Sequence, residues 1–168
     1  LPLPPSLGLY TDQQMAILDT AGQVNVPIKF HLVGDDSGTG RLDDSVLPNV
    51  ISRLNSAYQG AKMSFFVKST THLNSNQYGS PQAIWTTSLM DELMGEDADP
   101  DAIDVYFVPY FEHDGVGTFT YDISSILEEP LFSQGLIVRN NMADSPVTVH
   151  EIGHYFNLFH TWEENLWG

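Results

Sequence analysis

Residues 147–162 read VTVHEIGHYFNLFHTW, and both fold and chemistry turn on how this stretch is placed. It carries His150, Glu151, His154 and His160, three of the chain's 6 histidines within eleven positions. Ser145 suits a helix N-cap and Pro146 the first helical position, so a helix is expected over 145–156. On a helix, positions i and i+4 share a face. His150 and His154 therefore present their imidazoles side by side, as one small ion requires. Glu151 is turned by about 100 degrees from His150, so it flanks the ion, where it can take a proton from a water there. A continuous helix would carry His160 through about 600 degrees from His154, off the metal face. The helix has to stop and the chain turn back. Asn157 is the expected turn, because asparagine follows only glycine in tolerating left-handed backbone.

Three neutral nitrogen ligands with one position open form the pattern of a catalytic zinc, whereas structural zinc is usually closed by four protein ligands. The competing reading is that these histidines are satisfied core or surface groups. The cap, a preceding strand and the turn residue all agree with the H-E-x-x-H spacing, which favours the metal.

Upstream of the helix, GLIVRN (135–140) reads as a short strand and AIDVYFVPYF (102–111) as the most apolar, central one. VNVPIKFHLV (24–33) alternates: Val26, Ile28, Phe30 and Leu32 point one way, Lys29 and His31 the other, as on a strand with one buried face. MSFFVKST (63–70) is a further strand, and GVGTFTYD (115–122) a glycine-flanked strand at a sheet edge. Helices are expected over 42–60 and 84–95. In the first, Asp43 or Asp44 is the cap, Pro48 is confined to the first turn and Gly60 marks the end. Residues 34–40 and 71–82 read as loops, 96–100 as an acidic turn and 123–134 as irregular. The first ten residues are Pro-rich and extended, and 13–19 is ambiguous. The order strand, helix, strand, helix, strand, strand, helix predicts an α/β domain with a mixed twisted sheet.

At 168 residues, with 42% hydrophobic and 17% charged content, the chain is globular and of one-domain size. A net charge of −16 and six unclustered basic residues exclude nucleic acid and anionic membrane as partners. No apolar run reaches the length of a membrane span. The absence of cysteine excludes disulfides, a thiol nucleophile and thiolate zinc sites. The opening LPLPPSLG has neither an initiator Met nor a signal-peptide pattern, so the chain reads as trimmed from a longer precursor.

Other features read more plainly. Asp97, Asp99 and Asp101 alternate as in a Ca2+ loop, but Ala102 stands where such a loop needs Gly and Val108 where it needs Glu. A solvated acidic turn is the preferred reading. His31, His72 and His113 are isolated, hence structural or exposed, and Trp85, Trp162 and Trp167 are packing anchors.

The run from His150 to His160 resembles the metzincin zinc-peptidase signature. Together with GLIVRNN (135–141), it resembles the pappalysin/cytophagalysin (ulilysin-like) group, whose finer pattern Gly153, Leu158 and Thr161 match. The resemblance implies a metzincin-like upper subdomain, with a backing helix and an active-site helix on the sheet. It implies that residues 1–168 are a single metallopeptidase catalytic domain, cut after the zinc motif so that the lower subdomain is missing. It further implies one Zn2+ on His150, His154 and His160, with Glu151 as general base. Gly115, Val116, Gly117, Thr118 and Phe119 would pair with an extended protein or peptide substrate. The resemblance also implies a secreted endopeptidase, with a C-terminal subdomain or fragment of the same precursor as partner. Two departures stand out. Asn157 replaces the usual glycine, and all five methionines (Met15, Met63, Met90, Met94 and Met142) precede His150, so none supplies the Met-turn expected after the third histidine. Two alternatives remain open: a non-catalytic zinc- or protein-binding module on the same scaffold, and a third ligand from Glu163 or Glu164.

Overall fold

The structure, a computed structural model, describes residues 22–117 and 134–158. Five strands form one sheet in the order β2-β1-β3-β5-β4. They are β1 (Val24–Gly34), β2 (Met63–Asn74), β3 (Ile103–Val108), β4 (Gly115–Gly117) and β5 (Leu136–Arg139). The first four neighbours run parallel, and β4 is antiparallel to β5 at the edge. Four helices complete the described architecture: α1 (Leu47–Tyr58), α2 (Asn76–Gly79), α3 (Thr87–Gly95) and α4 (Pro146–Tyr155). This is the expected α/β class, and every residue of β3 is buried, as its apolar run predicts.

The alternation of side chains along each strand sorts the core into two layers. On one face, Ile28, Phe30, Leu32, Val105, Phe107, Leu136 and Val138 pack under Val50 and Leu54 of α1 and Ile152 of α4. On the other, Val33, Tyr106, Val108 and Ile137 pack under Leu93 and Met94 of α3. Parallel strands covered on both faces account for the length and depth of this core.

Several boundaries differ from expectation, each for a local reason. Asp43 does cap, its carboxylate accepting from Ser45 N–H at 2.8 Å, but it opens a 3-10 turn over Asp44–Val46, and α1 begins at Leu47 with Pro48 in its first turn. Gly60 does not end that segment; Lys62 does, at φ 55. β2 runs four residues beyond the expected end because β1 pairs with it as far as Gly34 opposite Asn74. The expected loop after it holds the single turn α2, capped by Ser75. α3 starts at Thr87, with Thr86 as cap, which leaves Ile84 and Trp85 outside the helix.

The second face of β1 is the main correction. Lys29 and His31 are buried rather than solvent-facing. His31 Nε2 meets Asp104 Oδ1 at 2.7 Å, and its ring stacks on Tyr106 with centroids 4.1 Å apart. The acidic turn folds over this face. Lys29 pairs with Asp97 at 2.8 Å and Lys68 with Asp99 at 2.8 Å. Those hydrogen bonds hold both carboxyls below the usual carboxylate range. The turn is exposed, as a solvated acidic turn is, but two of its three aspartates carry lysine partners, and Asp101 N–H donates to Asp99 Oδ1 at 2.9 Å.

Candidate metal centre

α4 is held at its start, middle and end. The Ser145 hydroxyl accepts from Val147 N–H at 3.1 Å and donates to the Met142 carbonyl at 2.6 Å. The buried Thr148 hydroxyl donates to the Ala143 carbonyl at 2.8 Å. Tyr58 reaches across from α1, its hydroxyl donating to the Val149 carbonyl at 2.9 Å. Burial pushes the Tyr58 phenol up to about 12, so it stays a neutral donor.

The helix stops as its sequence predicts. Asn157 is left-handed, with φ 64. Leu158 N–H donates to the Gly153 carbonyl at 3.0 Å, and Asn157 N–H to the His154 carbonyl at 2.7 Å. This nested pair of bonds is the Schellman arrangement, with asparagine in the position glycine usually takes. The reversal has a consequence for the histidine. It brings the Leu158 carbonyl to 2.7 Å from His154 Nδ1. A carbonyl only accepts, so in the neutral imidazole Nδ1 is the donor and Nε2 is the nitrogen left to face a metal.

The rings of His150 and His154 lie with centroids 4.5 Å apart, edge to face. With a metal–nitrogen bond of about 2 Å, one ion spans two rings at this separation. His150 is exposed and His154 half-buried, so the pair opens outward from the helix. Glu151 points elsewhere. It is only 6% exposed and lies against β4. A Cβ placed on Gly115 would sit 3.0 Å from Glu151 Cγ and 3.2 Å from its Oε1. The edge strand can approach the carboxylate this closely because residue 115 has no side chain.

No family model matches. An extracellular metalloprotease of Arthroderma benhamiae is 24% identical over 155 residues, covering 87% of this chain and 51% of the relative. One of Neurospora crassa is 25% identical over 157 residues, covering 88% and 54%. The sequence relatives are extracellular metalloproteases. Among solved structures, mature mirolysin of Tannerella forsythia in complex with a cleaved peptide superposes with a TM-score of 0.61 at 14% identity, over 86% of this chain and 67% of that one. The chain thus has the fold of mirolysin. It spans about half the length of the curated relatives it matches.

The expected site residues divide clearly. His150 and His154 meet, Glu151 meets Gly115 of the edge strand that Val116 and Gly117 continue, and Asn157 closes the helix. His160, Thr118 and Phe119 lie outside the described residues, as do Glu163 and Glu164. Among the described residues no three metal-binding side chains gather, and the described part of the site supplies two. The remaining histidines stand apart. His31 is a buried partner of Asp104, His72 meets Asp44 at 2.9 Å, and His113 sits exposed beside Phe111. Met142 lies in a 3-10 turn ahead of α4 and helps build its cap. Sequence reasoning missed the Leu158 carbonyl, the Tyr58 clamp and the contact of Gly115 with Glu151. The first was within reach, since a left-handed residue three past a histidine turns the next carbonyl back along the helix. The other two are contacts over long sequence separation.

Proposed function

We propose that this chain is the zinc-binding part of a secreted metalloendopeptidase, and that residues 1–168 belong to one catalytic domain completed by a C-terminal subdomain. The observation that carries this reading is the His150–His154 pair, with the second ring held in its metal-ready tautomer by the turn at Asn157. His150, His154 and His160 would hold one Zn2+. When bound, it supplies Lewis-acid polarisation of water and of a peptide carbonyl.

The chain's own groups do the rest. Glu151 takes the proton from the attacking water and hands it to the leaving nitrogen, and its burial against Gly115 aims it along the substrate edge. β4 orients the substrate. Arg139 N–H donates to the Asp114 carbonyl at 3.0 Å, which sets the alternation of the antiparallel ladder. Val116 then spends its backbone groups on β5, while Gly115 and Gly117 turn theirs to the outer side, where no further strand lies among the described residues. An extended peptide adds there as a further strand, its scissile bond near Glu151. The names of the relatives support an extracellular location, and no helix among the described residues is long and apolar enough to cross a membrane.

The test is cleavage of an unfolded polypeptide by the full-length protein. Cleavage should stop on metal chelation and return with added zinc. Cleavage that survives exhaustive chelation contradicts the zinc mechanism, and zinc binding without any cleavage leaves a non-catalytic module.

A further inference from the structure

A hollow lies at the end of the sheet where β3 and β5 finish and β4 begins. It has a volume of about 560 Å³ and is walled by Ile84, Trp85, Tyr110 and Phe111, with Glu112 and Arg139 at its rim. Two walls are apolar groups in water: Ile84 is 81% exposed and Tyr110 is 44% exposed. The other two are anchored. Trp85 Nε1–H donates to the Tyr110 carbonyl at 2.8 Å, and its ring meets Phe111 edge to face with centroids 4.9 Å apart. A rigid aromatic floor under exposed apolar rims is how side-chain pockets are built.

The hollow is continuous with the substrate edge. Val116 of β4 packs into the same cluster as Trp85 and Phe111. Arg139 pairs with the Asp114 carboxylate, immediately before Gly115. Phe111 and Glu112 precede Gly115 by four and three residues, so at most about 10–14 Å of chain separates them from the point where β4 meets Glu151. An added peptide strand pairs more stably antiparallel than parallel. Laid that way on β4, its C-terminal half runs from Gly115 toward Asp114 and the hollow.

Resting on the peptidase reading, we propose that Ile84, Trp85, Tyr110 and Phe111 form a specificity pocket for a bulky apolar side chain two to four residues C-terminal to the cleaved bond. Its substrates are then extended polypeptides carrying such a residue, and peptides ending sooner forgo the contact.

The experiment uses the full-length protein and a library of ten-residue peptides, with each position around the cleaved bond varied among Phe, Leu, Ala, Ser and Asp. The unaltered protein should favour Phe or Leu over Ser by about 10-fold at one position in that range. In a variant carrying Ile84→Asp and Tyr110→Ser, the ratio should fall to near one. Both side chains are exposed, and the Tyr110 carbonyl that holds Trp85 is retained, so the fold should persist; an unchanged unfolding midpoint checks this. Cleavage with no preference in that range, or a preference the variant retains, overturns the pocket and leaves the peptidase reading standing. A variant-sensitive preference N-terminal to the bond overturns the antiparallel placement and with it the proposal. No cleavage by the unaltered protein overturns the peptidase reading and the pocket together.

Discussion

Glu151→Gln should reduce kcat/KM for peptide cleavage by about 10²–10⁴-fold, the usual worth of a positioned proton-transfer group, while the protein keeps its zinc. The amide matches the carboxylate in shape but cannot take a proton from water. Glu151 lies on a different side of α4 from the two imidazoles and packs against β4, so the exchange should leave the His150–His154 pair as it is. The loss should fall in kcat more than in KM, because in the proposed mechanism the backbone edge of β4, not Glu151, would hold the peptide. The decisive comparison is cleavage rate and zinc content on the same sample. Cleavage within a few-fold of the unaltered protein would remove Glu151 from the mechanism. Loss of zinc along with activity would make it a ligand or a support for the ligands.

Asp104→Ala should destabilise the fold by about 3–5 kcal/mol, as removal of one partner from a buried pair does. His31 is fully buried, and its Nε2 has Asp104 as partner at 2.7 Å. Among the described residues its Nδ1 has no hydrogen-bond partner, so the substitution strands both ring nitrogens in the core. Asp104 also accepts from Asp99 N–H at 2.9 Å, and its removal loosens the turn that covers Lys29 and His31. For a chain of this size such a loss lowers Tm by about 10 °C or more. The pair lies on the sheet face away from α4, so zinc affinity should hold below the transition. Denaturant unfolding reads the effect, and a cost under about 1 kcal/mol would show that the pair contributes little.

The part of the site made by near neighbours was legible in the sequence. The i and i+4 histidines, the Ser145 cap, the Pro146 start and the left-handed Asn157 all follow from helix geometry, and each is present. The run AIDVYFV announced a central strand, and GVG an edge. The features that could not be read depend on distant segments. Lys29 and His31 looked solvent-facing because alternation along β1 says nothing of the turn at 96–101 that folds over them. The lysine partners of Asp97 and Asp99 could not be read either, because Lys29 and Lys68 lie 68 and 31 positions away. Ile84 and Trp85 were expected within a helix, since apolar periodicity does not register that Thr86 is the better cap.

Whether the α4 histidines hold a single zinc is tested most directly by elemental analysis of the purified full-length protein after exhaustive dialysis. Close to one zinc per chain is expected, falling sharply in a His154→Ala variant. A protein that carries His150, His154 and His160, is folded, and retains no zinc would contradict the zinc site.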